Sequence, residues 1–467
     1  MRETPFNPPP HSRLATRSAA QSSAEVIHGD VSSIAPNGKL AGAVTRIRLR
    51  LVPFLMLMYV ISFLDRSNIG FAKQALQSSV GISPASYALA AGLFFISYSF
   101  CGFPSNLILH KVGAKIWMAC IMTAWGVASM ATMFVRGDIS LYTVRLLLGV
   151  AEAGFFPGVI LYLTYWFPSR VRGEIMGLFY IGVPVAMIFG NPLSGFLLEM
   201  RTMAGLQGWQ WMFFIEGLIA VLVGIGTYWY LDNRPSQASW IPTDEAAALT
   251  ELLSAEEIER RSSSPGKLLA MIRDPRVLLY LAIYSLIQIS VYGVVFYLPT
   301  EVSALIHKPA GIEVGFVSAI PWLFALVAVF WLPRAADRSQ SHRKYAALSM
   351  FVGGCASFVF PTAGPIVGIM ALSLAVSAFV GVQPLFWTFP TGYLADRAAA
   401  GGIAVITMGN LGGFIAPNLK VWADRYFGSE RAGLYLLAAL TILNAALILT
   451  VKDRRNQSGS YKSTTAG

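Results

Sequence analysis

Twelve apolar stretches, each about 20 residues long, dominate this chain of 467 residues. A helix of ~20 apolar residues is long enough to cross the ~30 Å hydrocarbon core of a bilayer. Hydrophobic residue types make up 55% of the chain and charged types only 13%, whereas a soluble domain has about 25% charged residues. The pattern therefore predicts an all-α membrane protein with 12 transmembrane helices.

The predicted spans fall into two groups of six, separated by a long polar stretch. They cover residues 51–72, 85–109, 116–135, 140–166, 173–198, 209–231, 276–299, 313–332, 345–362, 365–389, 399–419 and 432–451, of which the eleventh is the least apolar. We expect a disordered cytoplasmic tail (1–45), a first six-helix bundle (46–231), a cytoplasmic central loop (232–275), a second six-helix bundle (276–451) and a cytoplasmic tail (452–467). A six-plus-six layout is typical of membrane proteins built from two parallel repeats.

Lysine and arginine are distributed unevenly between the two sides of the predicted membrane. If the amino terminus is cytoplasmic, 26 of them lie on the cytoplasmic side and 7 on the other, while Arg66 and Arg145 lie inside spans. This asymmetry satisfies the positive-inside rule. It predicts a multi-pass membrane protein with both termini in the cytoplasm. The net charge of +11 then reflects topology, so nucleic acid is not an expected partner.

Five ionisable residues fall inside the apolar spans, where a charge costs at least ~2.5–3.5 kcal/mol and usually faces a partner or an aqueous cavity. They are Asp65, Arg66, Arg145, Glu152 and Glu216. At a rise of ~1.5 Å per residue, Asp65 lies about 21 Å from the cytoplasmic end of its span, and Glu152 about 17 Å from the opposite end of the fourth span. Arg145 and Glu152 are nearly two helical turns apart and share a face.

If this face meets the first helix, one cluster can hold two acids and one or two arginines. Adjacent Asp65 and Arg66 point about 100° apart, so we expect one to face the cavity while the other braces the helix bundle. An acid beside an arginine has two protonation-dependent states, which is what proton coupling requires. The alternative is that the charges are buried ion pairs that fix helix packing. This alternative is favoured for Glu216, which is isolated in the sixth span.

At these residues the sequence resembles the major facilitator superfamily and, within it, the anion:cation symporter family. The segments that carry the resemblance are Phe63–Gly70, His110–Lys115, Arg145–Gly158, Gly208–Trp211, Phe386–Pro390 and Gly409–Gly413, and the likeness extends from about 45 to 451. The resemblance implies two six-helix bundles, a central cavity, alternating access and symport of an organic anion with protons. The sequence departs from the family's pattern at two places. It has His110-Lys111 where Asp-Arg is frequent in the superfamily, and Tyr180–Pro184 of span five lacks a polar residue that some sugar-acid carriers have there.

The resemblance also implies roles for individual residues. Asp65 and Glu152 correspond to the protonatable pair, Arg66 to a ligand of the substrate carboxylate, and Arg145 to the partner that senses acid protonation. Further substrate-binding residues are expected on the cavity wall, and these are Tyr98, Tyr292, Trp387 and Asn410. The alternative for the aromatic residues is ordinary packing, and for Asn410 it is close helix packing among neighbouring glycines.

The expected function is uptake of a small organic carboxylate by proton symport. Aromatic acids, sugar acids and tartrate-like dicarboxylates remain open as substrates. A proton-coupled exporter of drug-like molecules is the main alternative, since Gly190–Gly195 in span five matches the signature of such exporters in part, and a membrane sensor is another. No catalytic arrangement, metal motif or nucleotide-binding loop stands out, so neither an enzyme nor a cofactor is predicted. A monomer is expected.

Overall fold

The computed structural model describes residues 39–200, 202, 204–262, 273–393 and 399–451. These residues form helices joined by short turns, which confirms the prediction of an all-α membrane protein. The predicted tail residues 1–38 and 452–467, and residues 263–272 of the central loop, lie outside the described residues. The first helix begins at Lys39, within the stretch 1–45 that the sequence predicts as a tail.

The first six spans are built from eight helices. These are Lys39–Ala75 (span 1), Pro84–Val112 (span 2), Ala114–Ala131 (span 3), Asp138–Glu152 with Phe155–Trp166 (span 4), Ser169–Tyr180 with Gly182–Leu198 (span 5) and Gly208–Tyr230 (span 6). Spans 4 and 5 are each interrupted near their middle. The interruption in span 4 falls directly after Glu152, so this carboxyl lies at the end of a helix inside the membrane.

The second six spans follow the same plan. They are Pro275–Ile306 (span 7), Ile312–Ser339 (span 8), His342–Val359 (span 9), Pro365–Tyr393 (span 10), Ala399–Thr407 with Gly412–Phe427 (span 11) and Ala432–Thr450 (span 12). Within the described residues, eleven helical segments are long and apolar enough to cross a membrane. The predicted span that is missing from this set is span 11, because a 3₁₀ turn at Met408–Leu411 divides it and its second part carries charged residues.

Large apolar side chains cover the outside of the bundles. Phe196, Phe316 and Val327 are 55%, 61% and 65% exposed. Such a continuous apolar exterior is unstable in water but suits lipid, where helices satisfy their own backbone hydrogen bonds. The exterior therefore supports the reading of these helices as membrane spans.

Close helix contacts inside the first bundle depend on glycine. A Cβ added to Gly126 of span 3 would lie 2.7 Å from the backbone oxygen of Gly217 of span 6. A Cβ added to Gly149 of span 4 would clash with the backbone oxygen of Phe94 of span 2. Because small residues let helix backbones approach each other, these glycines allow spans 3 and 6, and spans 2 and 4, to pack tightly.

The central segment packs against the first bundle. Its helix, Thr243–Ser262, carries Glu256, whose carboxylate accepts hydrogen bonds from the Ser169 backbone N–H at 3.1 Å, at the start of span 5. The Trp240 ring stacks on Trp166 at 5.7 Å and an interplanar angle of 10°. The segment is thus held by an acidic cap and an aromatic contact at the end of the bundle predicted to be cytoplasmic.

Candidate functional site

A buried ion pair joins Arg66 of span 1 to Glu152 of span 4. The Arg66 Nε donates to Glu152 Oε1 at 2.7 Å, and Nη2 lies 2.6 Å from the same oxygen. The Ser62 hydroxyl, one turn before Arg66, also donates to Oε1 at 2.5 Å. Oε1 therefore receives all three contacts, whereas Glu152 Oε2 has no hydrogen-bond partner. The pair is fully desolvated, so removal of either partner leaves an uncompensated buried charge.

Arg66 also reaches the second bundle. Its Nη1 donates to the Tyr292 hydroxyl of span 7 at 3.2 Å. Its guanidinium lies 5.0 Å from the Phe63 ring centroid, 5.4 Å from that of Phe94 and 4.9 Å from that of Tyr98. Three aromatic faces stabilise the cation, and the planar fork stays at the junction of the two bundles. We call Ser62, Arg66, Tyr98, Glu152 and Tyr292 the junction site.

Arg145 does not pair with Glu152, although the two share a helix face as the spacing predicts. Its guanidinium lies 5.1 Å from the centroid of Phe94, and its Nε and Nη2 have no hydrogen-bond partner. The side chain is 2% exposed. Because the Glu152 carboxylate binds Arg66, the Nε and Nη2 groups of Arg145 can donate hydrogen bonds to another acceptor.

Asp65 faces away from the junction site, into the interior of the first bundle. Its Oδ1 accepts a hydrogen bond from the Ser129 hydroxyl of span 3 at 2.7 Å. Asp65 and Arg66 thus address different neighbours, in agreement with their predicted angular separation. Arg66 contacts the Glu152 carboxylate of span 4, whereas Asp65 contacts the Ser129 hydroxyl of span 3, so the buried charges form two groups.

Two further predicted residues, Trp387 and Asn410, contact side chains of span 7. The Trp387 ring of span 10 contacts the Tyr284 ring at 5.2 Å, and the Asn410 Oδ1 of span 11 accepts from the Gln288 Nε2 at 2.8 Å. Tyr284, Gln288 and Tyr292 are each four residues apart and so share one face of span 7. This face connects Trp387 and Asn410 to Arg66. Tyr98 contributes through its contact with Arg66 and its stacking on Phe94 at 5.6 Å.

Sequence reasoning missed three residues of this region, namely Ser62, Tyr284 and Gln288. Gln288 could have been found, because it is an amide in an apolar span one turn before Tyr292. Ser62 lies one turn before Arg66 but hydroxyls are common in helices. Tyr284 carries no distinguishing signal among the 18 tyrosines of the chain.

The two bundles meet at the end predicted to face away from the cytoplasm. The Ile312 backbone N–H donates to Glu199 Oε1 at 2.9 Å, and the Asn191 Nδ2 donates to the Ser318 backbone oxygen at 3.1 Å. These bonds join spans 5 and 8. The Tyr87 hydroxyl of span 2 donates to the Phe296 backbone oxygen of span 7 at 3.3 Å. The structure is therefore closed at this end of the junction site.

The described residues contain no group of three or more His, Cys, Asp or Glu side chains that could hold a metal ion. The polar groups of the junction site are an arginine, hydroxyls and one carboxylate. These groups suit recognition of an anionic organic molecule, since guanidinium groups bind carboxylates in a bidentate manner.

Twelve spans in two bundles, with a charged junction site between them, define a membrane transporter rather than an enzyme. The family model described as Major Facilitator Superfamily matches residues 55–417. The chain belongs to the Major Facilitator Superfamily, and the fold and family expected from the sequence are confirmed.

Curated relatives share this assignment. The chain is 43% identical to the inner membrane transport protein RhmT of Escherichia coli, over 89% of this chain and 96% of that protein. It is 39% identical to a putative tartrate transporter of Agrobacterium vitis, over 93% and 96% of the two chains. It is 37% identical to a quinolone resistance transporter of Acinetobacter baumannii, over 86% and 93%. The chain is thus a multi-pass secondary transporter of small solutes.

A solved structure supports the fold independently. The xylose transporter XylE from E. coli, in a partially occluded inward-open conformation, superposes with a TM-score of 0.67. The match covers 88% of this chain and 99% of that chain at 15% sequence identity. At this identity the likeness concerns the fold alone.

Proposed function

We propose that this protein takes up a small organic carboxylate together with protons. The observation that carries the proposal is the Arg66–Glu152 pair at the bundle junction, with both Arg66 amino groups engaged by groups that a substrate can replace. A substrate carboxylate and the Glu152 carboxylate compete for the same guanidinium. The similarity to a putative tartrate transporter supports a carboxylate as the cargo.

The mechanism follows from this competition. When Glu152 binds a proton it loses its negative charge, and its attraction to Arg66 weakens. The guanidinium then donates two hydrogen bonds to the substrate carboxylate in a bidentate geometry, with Arg145 offering further donors from span 4. Loss of the proton to the cytoplasm re-forms the Arg66–Glu152 pair and expels the anion.

Alternating access couples these steps to a conformational change. Arg66 and Glu152 belong to the first bundle and Tyr292 to the second, so the occupant of Arg66 alters a contact between the bundles. Proton and anion bias the same two-state equilibrium, which is what coupling requires. Asp65 belongs to a second proton-binding site, on the interior side of span 1.

The second bundle supplies selectivity in this proposal. Tyr292, Gln288 and Asn410 offer hydroxyl and amide groups, while Tyr284 and Trp387 offer aromatic faces. This lining suits a carboxylate that also carries hydroxyl groups or a ring. The candidates are tartrate-like dicarboxylates, sugar acids and aromatic acids.

The proposed setting is the bacterial inner membrane, with both termini in the cytoplasm and the protein active as a monomer. The distribution of lysine and arginine supports this orientation. Residues 46–231 and 276–451 are the proposed bundles, with 232–275 as the cytoplasmic connection.

The test is uptake by purified protein in liposomes, with labelled tartrate, sugar acids and aromatic acids, with and without an inward proton gradient. Accumulation of one anion that collapses with a protonophore is the expected result. Absence of gradient-dependent uptake for every anion contradicts the proposal.

Export of drug-like molecules is the second candidate, favoured by the 37% identity to a quinolone resistance transporter. It is tested by expression in a strain that lacks its own drug exporters. Raised resistance to quinolones without any carboxylate uptake would favour export.

A further inference from the structure

A second group of buried polar side chains lies inside the first bundle, away from the junction site. Its members are Asp65 and Asn68 of span 1, Ser129 of span 3, Ser194 of span 5 and Glu216 of span 6, which we call the interior cluster. Each of these residues is 2% exposed or less. Asp65 and Asn68 are three residues apart and share one face of span 1.

Close contacts between helices hold these residues together. Spans 3 and 6 approach at Gly126 and Gly217, and the Leu64 side chain of span 1 packs against Gly190 of span 5. Glu216 lies within electrostatic range of Asp65 and beside the Asn68 amide. Four helices therefore converge on two carboxyl groups.

The carboxyl groups have only neutral partners. The Ser129 hydroxyl donates to Asp65 Oδ1 at 2.7 Å, and the Ser194 hydroxyl donates to Glu216 Oε1 at 2.7 Å. Asp65 Oδ2, Glu216 Oε2 and both polar atoms of Asn68 have no hydrogen-bond partner. Buried polar atoms are normally hydrogen-bonded. A buried amide without a partner at either atom, beside two carboxyl oxygens without a donor, therefore indicates a place where a bound proton would supply the missing hydrogen-bond donor.

The charges around the cluster do not balance the two acids. Within the described part of the chain, neither Asp65 nor Glu216 forms an ion pair. Arg145 and Glu152 of span 4 act on Asp65 from a distance, with opposite sign. Span 3 contributes the Ser129 hydroxyl and the neutral indole N–H of Trp125 beside Asp65, and span 5 contributes the Ser194 hydroxyl. A buried carboxylate without a cation costs several kcal/mol, and the cost is avoided when the group binds a proton.

We propose that Glu216, with Asp65 and Asn68, forms a second proton-binding site inside the first bundle. A proton from water forms an O–H bond at Glu216 Oε2, and this O–H donates to the Asn68 carbonyl oxygen. The Asn68 amide then donates to the free oxygen of Asp65. All the unpartnered atoms of the cluster gain a hydrogen bond from this single proton.

This site rests on the proposed function and adds to its proton coupling. Its proton binds inside the first bundle and does not contact the substrate. Asp65 and Arg66 are adjacent on span 1, so a movement of this helix changes both the interior cluster and the junction site. The protonation of Glu216 thereby biases the same conformational change as substrate binding does.

The test is infrared spectroscopy of the purified full-length protein in lipid, titrated with pH in the absence of any substrate. We expect a carbonyl band of a protonated carboxyl group at neutral pH that is lost in Glu216→Gln. The matched control, Glu174→Gln, removes an exposed carboxyl that pairs with Arg48, and it leaves the band unchanged. Ser194→Ala keeps Glu216 but removes its hydroxyl donor, so we expect the band to shift in frequency.

Each result bears on the site independently of the cargo. A band that persists in Glu216→Gln, or its absence from the native protein at neutral pH, overturns the proposal. If Glu216→Gln does not fold, an unchanged band in Ser194→Ala overturns it instead. Displacement of the band by sodium at constant pH also overturns it, in favour of a metal cation. Because no substrate is present, failure of carboxylate uptake would leave this result unaffected.

Discussion

The two halves of the molecule share one plan of six spans but differ in their buried charges. Of the six buried charged residues that the described residues contain, five lie in the first half and only Lys420 lies in the second. Lys420 pairs with Asp424 one turn along span 11 at 2.9 Å, at the closed end. Where the second half faces Arg66, it presents tyrosine, tryptophan and amide side chains. In the proposed function, the first half therefore binds the substrate carboxylate and protons, whereas the second half contacts the rest of the substrate.

The largest expected effect is that of Arg66→Ala. This substitution removes the two or more charge-assisted hydrogen bonds proposed for the substrate, each worth ~1.5–3 kcal/mol, so we expect carboxylate affinity to fall by at least about 100-fold. Affinity is measured by calorimetry or by displacement of labelled anion. Arg136→Ala is the control, because Arg136 is exposed at the closed end. Native affinity in Arg66→Ala would mean that Arg66 does not bind the carboxylate.

A smaller loss is expected for Tyr292→Phe. The variant keeps the ring that contacts Phe95 at 4.3 Å and removes only the hydroxyl that bridges the halves. Loss of one hydrogen bond of ~1 kcal/mol predicts an affinity about fivefold weaker. The rate of exchange across liposome membranes should also change, since this contact joins the bundles. If neither quantity changes, Tyr292 is only a packing residue.

Gln288→Ala tests the division between charge and selectivity. Gln288 donates to Asn410, so its loss should alter the preference among carboxylates by a few-fold, as a single hydrogen bond allows. Dependence on the proton gradient should be unchanged, and competition among unlabelled acids measures the preference. A loss of proton dependence here would contradict the assignment of coupling to the first half.

Lys420→Met should have the smallest effect on transport. Lys420 lies at the closed end and pairs within its own helix, so we expect carboxylate affinity within about twofold of the native value. The substitution leaves the Asp424 carboxylate without this cation, so we expect the free energy of unfolding to fall by ~1 kcal/mol. Binding assays and thermal unfolding measure the two quantities. An affinity loss similar to that of Arg66→Ala would show that the second half also holds the anion by charge.

Much of the fold could be predicted from the sequence because membrane spans leave a strong signal. A stretch of ~20 apolar residues, repeated along the chain, predicts the number and position of the helices. The signal is weakest in span 11, where the turn at Met408–Leu411 and the pair Lys420–Asp424 interrupt it. The breaks within spans 4 and 5 were not predicted, since each continues the apolar run.

The candidate site was predicted less completely. Buried charges are conspicuous in apolar spans, so Asp65, Arg66, Arg145 and Glu152 could be found. Their pairing could not, because helix spacing shows which residues share a face but not which neighbouring helix that face meets. Glu152 therefore pairs with Arg66 rather than with Arg145, and Asp65 joins Glu216, which the sequence presents as isolated.

The most direct test of the central claim compares two kinds of transport in Glu152→Gln. Glutamine keeps the shape of the side chain but cannot gain or lose a proton, so Arg66 stays available to the substrate. We predict that this variant exchanges labelled for unlabelled carboxylate across liposome membranes yet does not accumulate it under an inward proton gradient. Accumulation against a concentration gradient at the native level would contradict the role of the Arg66–Glu152 pair in proton coupling.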